Sequence, residues 1–170
     1  MWKYRFTMFG WRLNAWLHTT GLDRLPVFGR LWFSGKRMIA RWLSSGHGVP
    51  VCLGGQPTYI HPFTIAYGIH TWEPYTTELF QNALKPGFTV LDIGAHHGYF
   101  SLLAARCVGP EGTVYAFEPA PDNLQILKRN VELNHLTNVI PINKAVSDKC
   151  ATVPFYFRQR TGVTGSLLAA

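Results

Sequence analysis

The sequence predicts an α/β domain built on a doubly wound parallel sheet, and three observations predict it. Val90 to Ser101, VLDIGAHHGYFS, reads as a short apolar strand that turns through two glycines into a helix. Strand and helix patterns then alternate with short loops as far as Val146, the order that gives right-handed crossovers and parallel strands. The 170 residues are 47% hydrophobic, with mean hydropathy near zero, which suffices for the core of one ordinary domain.

Charge divides the chain in two. Met1 to Pro50 hold eight basic residues and one acid, Asp23, and so carry the whole net +7; Val51 to Ala170 hold eight of each. The basic balance therefore describes a leader, read as a basic, aromatic-rich helical extension over residues 1–50, and not the domain over 51–170. Cys52, Cys107 and Cys150 form no CxxC pair, so neither a disulfide framework nor a metal site is expected, and a reducing, cytoplasmic setting fits. The leader lacks the continuous apolar run of a signal peptide or a spanning helix.

Taken in order, Met1 to Leu43 read as two amphipathic helices broken around Gly21 to Pro26. Trp2, Phe6, Phe9, Leu13, Trp16 and Leu17 share one stripe; Leu31, Trp32, Met38, Ile39, Trp42 and Leu43 share the other, opposite Arg30, Arg37 and Arg41. Such faces either dock on protein or lie at an anionic membrane surface. Nucleic-acid binding is not expected, because the basic residues are dispersed and no recognition motif accompanies them.

Ser44 to Gly55, rich in Gly and Ser, read as a boundary. Thr58 to Ile69 read as short strands or a hairpin with turns at Pro62 and Gly68, and Trp72 to Leu84 as a helix closed by Lys85-Pro86-Gly87, with Glu73 in its first turn. Val90, Leu91 and Ile93 then predict a buried parallel strand, followed by a helix from Tyr99 to Val108. Thr113 to Phe117 is the second strand, Pro121 to about Asn134 a helix burying Leu124, Leu127 and Val131, and Val139 to Val146 the third strand. Thr152 to Phe157 are strand-like, with Pro154 arguing for an edge, and the tail reads as a polar loop leading into another helix. Only half of a doubly wound sheet is accounted for, so the domain is expected to stop short after its third parallel strand.

The first two turns carry the chemistry. Gly94 can adopt backbone angles closed to other residues, and the first-turn amides of the following helix present the positive end of its dipole. Asp92 ends the first strand with a carboxylate. Glu118 ends the second, 24 positions after Gly94, where nucleotide-binding folds place the acid that accepts ribose hydroxyls. A dinucleotide loop, G-x-G-x-x-G, needs a second glycine for the pyrophosphate, and His96 stands there instead. The loop D-x-G-x-x-x-G suits an adenosine ligand without phosphate, and Asp92 favours a cationic one. S-adenosylmethionine, with its sulfonium and ammonium groups, meets both conditions, while a nicotinamide-dependent oxidoreductase is disfavoured.

VLDIGAHHGYFS, GPEGTVYAFEPAPDNLQILKRNVELN (Gly109 to Asn134) and AVSD (Ala145 to Asp148), with WEPYTTELF (Trp72 to Phe80) and Gly165-Ser166-Leu167, resemble the FkbM family of class I S-adenosylmethionine-dependent methyltransferases. The resemblance runs from about Thr58 to Leu168 and implies a Rossmann-like class I methyltransferase fold, present as its N-terminal, cofactor-binding half. It implies methyl transfer to a hydroxyl of a sugar or other small molecule. It also implies that Asp92, Gly94, Ala95, His96 and Gly98 surround the methionine moiety, that Glu118 holds the ribose beside Pro119, and that Ala145 and Val146 edge the adenine. His96 departs from the family's usual Asn. No catalytic base is assigned; His97 reads either as a loop residue or as that base, and Glu73 as a helix cap. The reading from a different class is a non-catalytic membrane- or partner-binding module.

Overall fold

The structure, a computed structural model, describes residues 48–62, 64, 73–157 and 165–166. The two expected leader helices therefore lie outside the described residues, as do residues 65–72 and most of the tail. The chain divides into two compact units, Met1–Trp72 and Glu73–Ala170.

In the first unit, β1 (Val49–Leu53) pairs antiparallel with β2 (Gln56–Ile60), in a register running from Val49 opposite Ile60 to Leu53 opposite Gln56. Val49, Leu53, Thr58 and Ile60 are buried, so the alternate positions of both strands form one inward face. Gly54 and Gly55 close the hairpin with φ of 53° and 80°. A two-residue loop with both residues at positive φ matches strand twist, and two glycines reach it without strain. A hairpin thus occupies Val49 to Ile60, so residues 49–55 of the stretch read as a boundary are its first strand and turn, while the turn expected at Gly68 lies outside the described residues.

The second unit opens with α1 (Pro74–Ala83), whose first turn is set by Pro74. Glu73 occupies the N-cap position at φ 46°, but its side chain makes no cap bond; its carbonyl accepts from the Thr77 amide at 2.8 Å. Three parallel strands follow, β3 (Thr89–Ile93), β4 (Thr113–Phe117) and β5 (Val139–Ile142), hydrogen-bonded in the order β3-β4-β5. The crossovers are α2 (Tyr99–Val108) and α3 (Pro121–Leu133). This is a Rossmann-like parallel α/β sheet with strand order increasing in one direction.

Because both crossovers step the same way, right-handed connections bring both helices to one face of the sheet. That face is the core: Val90, Val114, Ala116 and Val139 are buried against Leu102, Leu103, Ala105, Val108, Leu124, Leu127 and Val131. The opposite face differs from the sequence expectation. Leu91 and Ile93, read as buried, are each 61% exposed. A continuous apolar run is buried on both sides only where helices follow a reversal of strand order, and no such reversal occurs among the described residues.

Two further expectations are corrected. The third strand ends at Ile142, not Val146, because Lys144 turns back to donate to the Ile142 carbonyl and Asn143 bonds across to the neighbouring strand end. Among the described residues near the end of the chain, β6 (Tyr156–Phe157) pairs antiparallel with β7 (Gly165–Ser166), so Gly165 and Ser166, in a tail read as a polar loop leading into another helix, supply a strand. Only the partner strand reveals that pairing.

Gly98, the residue before α2, has φ of 87°, and a Cβ there would run into the Leu127 side chain of α3; at Gly94, φ 82°, a Cβ would meet nothing within 4 Å. Gly94→Ala should therefore cost only its left-handed backbone, about 1–2 kcal/mol. Gly98→Ala adds overpacking of roughly 1–3 kcal/mol, and urea unfolding of the two variants should separate them in that order.

Candidate functional site

The candidate site lies at the carboxyl ends of β3, β4 and β5, where open α/β sheets bind ligands. The turn after β3 is held to β4 by two amides: Gly94 and Ala95 both donate to the Phe117 carbonyl at 2.9 Å. Gly98 closes the turn by donating to the Ala95 carbonyl at 2.7 Å. Behind it, Asn130 of α3, fully buried, donates from Nδ2 to the His97 carbonyl at 2.7 Å. A buried carbonyl in a tight turn costs free energy unless it is paired, and Asn130 supplies the partner.

Glu118 is the centre of the site. Its carboxylate is buried, 5% exposed, yet it lies at a strand end among amides. Oε2 accepts from the His96 amide at 2.8 Å, and Oε1 from the Ala120 amide at 2.9 Å and from Asn123 Nδ2 at 3.4 Å. The Glu118 amide itself donates to the Ile142 carbonyl at 3.0 Å. One side chain thus joins the β3 turn to the β4 turn. A carboxylate offers about four acceptor positions, of which three are engaged here, so Oε2 keeps capacity for a ligand hydroxyl.

His96 is a non-glycine residue at φ 51°, a conformation that costs of order 1 kcal/mol or more and persists where surroundings enforce it. The enforcing contacts are its amide bond to Glu118 and the stacking of its ring on His97, with centroids 3.9 Å apart. His97 is 1% exposed, so its ring is packed inside the turn and not presented to a ligand.

Asp92 points back toward α2, where the buried Ser101 hydroxyl donates to its carboxylate. Burial raises its pKa above the usual 3.8; the Ser101 bonds partly offset this, and the negative charge of Glu118 adds to the rise. Two carboxylates at adjacent strand ends leave the turn short of positive charge, so a cationic ligand would relieve both.

The structure brings Asp92, Gly94, Ala95, His96, Gly98, Glu118 and Pro119 to one end of the sheet. Ala145 and Val146 lie beyond β5 in irregular backbone, both exposed. Sequence reading missed Asn123, Asn130, Asn143 and Ser101; a lone asparagine or serine in a helix or loop carries no pattern that announces a tertiary hydrogen bond. Among the described residues, no group of three or more His, Cys, Asp or Glu could hold a metal ion.

The model of the TRM5/TYW2 methyltransferase domain matches residues 77–154. These residues run from α1 through the sheet, and hold the strand ends just described. Among curated relatives, the tRNA (adenine(58)-N(1))-methyltransferase catalytic subunit TRM61 of Yarrowia lipolytica is 32% identical over 95 residues, 51% of this chain and 24% of its own length. A protein-L-isoaspartate O-methyltransferase of Methanothrix thermoacetophila is 31% identical over 80 residues, 46% of this chain and 38% of its own. A solved protein-L-isoaspartate O-methyltransferase shares 35% identity over 43% of this chain and 24% of that one, at a TM-score of 0.41. The chain spans about a quarter of the first of these curated relatives and about two fifths of the second. These similarities are to class I S-adenosylmethionine-dependent methyltransferases; they do not single out the FkbM family.

Because its pKa is raised by folding, Asp92 adds stability when protonated, and loses it as pH rises from 3.8 through the raised value. Asp92→Asn should remove that fall and raise the unliganded chain's stability at pH 7. Unfolding midpoints of wild type and variant between pH 4 and pH 7 check the sign.

Proposed function

We propose that this chain carries the donor-binding part of an S-adenosylmethionine-dependent methyltransferase. The observation that supports it most is the buried Glu118 carboxylate at the β4 end, bonded to the His96 amide of a D-x-G-x-x-x-G turn. The residues fit the cofactor. Gly94 leaves open space where a side chain would stand, Glu118 has an acceptor position for a ribose hydroxyl, and Asp92 with Glu118 supplies negative charge for a cationic ligand.

In this reading Asp92, Gly94, Ala95, His96 and Gly98 hold the methionine moiety, Glu118 and Pro119 the ribose, and Ala145 and Val146 the adenine edge. S-adenosylmethionine supplies an electrophilic methyl group on a sulfonium. The chain's own contribution is orientation: a turn fixed at four backbone amides and a ribose anchor direct the donor for in-line transfer. A protonated His96 beside the donor would oppose its charge.

For the acceptor, the reading is a hydroxyl of a sugar or other small molecule, supported by the resemblance to the FkbM segments. A second reading, an RNA acceptor, is favoured by the TRM5/TYW2 domain match and by the TRM61 relative. For residues 1–43, peripheral contact with an anionic membrane is the reading that liposome flotation tests; among the described residues, no helix is long and apolar enough to cross a membrane.

Isothermal titration of the chain with S-adenosylhomocysteine and with NAD tests the donor site. Binding of the first alone is expected, and Glu118→Ala should weaken it by about tenfold to a hundredfold, the loss of a charged hydrogen-bond acceptor. Binding of NAD alone, or undiminished affinity in the variant, overturns the assignment. Transfer of a labelled methyl group to bulk tRNA or to a mixture of oligosaccharides then separates the two acceptor readings.

A further inference from the structure

A second asparagine sits at the third strand end, outside everything so far given a role in binding. Asn143 follows β5 directly, and its Nδ2 donates to two successive carbonyls of the β4 turn, Glu118 O at 2.9 Å and Pro119 O at 3.0 Å. In the opposite direction, the Glu118 amide donates to the carbonyl of Ile142, the residue before Asn143. The ends of β4 and β5 are therefore locked by main chain one way and by side chain the other.

The lock compensates for Lys144. Its amide turns back to the Ile142 carbonyl and so cannot continue the ladder onto the Glu118 carbonyl, and Asn143 Nδ2 takes that place. The Asn143 amide is spent there, on two successive carbonyls. The turn it holds places the Ala120 amide 2.9 Å from Glu118 Oε1, which fixes where the carboxylate points. Its other oxygen then faces the His96 amide.

We propose that Asn143 is a positioning residue that sets selectivity for a vicinal diol on the ligand's sugar, acting through Glu118. The proposal rests on the reading of Glu118 as the ribose anchor. Asn143 is exposed, so its replacement leaves the core untouched. Its effect should be confined to the hydroxyl contacts, since the methionine and adenine ends of the ligand meet other residues.

The test is titration of the full chain with S-adenosylhomocysteine and with its 2′,3′-dideoxy counterpart, for wild type, Asn143→Ala and Asn143→Asp. Asn143→Asp keeps the shape but removes both donors. Wild type should prefer the diol. Both variants should lose about fivefold to tenfold in affinity for S-adenosylhomocysteine, the scale of one or two hydrogen bonds, while affinity for the dideoxy ligand stays as in wild type. Equal loss for both ligands would mark a merely structural asparagine and overturn the proposal, as would no loss for either. A wild-type chain that binds neither ligand removes the donor-site reading itself, and this proposal with it; one that binds both equally removes the ribose role of Glu118.

Discussion

The buried carboxylate of Glu118 is the constraint on which the rest of the site depends. It accepts from an amide on the β3 turn, an amide on its own turn and a side chain of α3, and its main chain is tied to β5 on both sides. A buried charge is tolerable only when such bonds replace water. The arrangement therefore ties three loops to one residue, each through its own hydrogen bond.

A second constraint comes from topology. Strands added in one direction with right-handed crossovers gather their helices on one face, and Leu91 with Tyr115 and Ile140, and Ile93 with Phe117 and Ile142, stand in register on the other. The first face is packed around Leu102, Val108, Val114 and Leu127, all nearly inaccessible. The site draws its rigidity from that packed side. Gly98, at the start of α2, abuts Leu127 so closely that a methyl group does not fit, which ties the turn directly to the core.

Polar side chains complete what packing leaves unfinished. Asn138 donates to the Ala105 and Gly109 carbonyls at 2.8 Å and satisfies the end of α2; Asn134 and Arg106 bridge α3 to α2; Asn130 satisfies the turn. Asn138 and Asn130 are placed where a helix or turn exposes a carbonyl that the backbone cannot pair. They are structural in origin, yet they decide how precisely the strand ends meet.

The sequence by itself determined the succession of strands and helices from Thr89 to Ile142, since the apolar periodicities, Gly94, Gly98 and Pro121 are local signals read within a few residues. It also placed Asp92, Gly94 and Glu118 at strand ends and Gly98 at the start of α2. The hairpin at Val49–Ile60 carries a local signal, Gly54-Gly55 between two short strands, that a Gly-rich boundary reading passes over, whereas the true end of β5 and the pairing of β6 with β7 were decided by partners elsewhere in the fold. So were the exposure of Leu91 and Ile93, which depends on the direction of strand addition, and the bonds of Asn130 and Asn143. An apolar strand reads the same whether one face or both are covered, and an asparagine reads the same whether it meets water or a carbonyl; only the tertiary structure supplies the neighbour that distinguishes them.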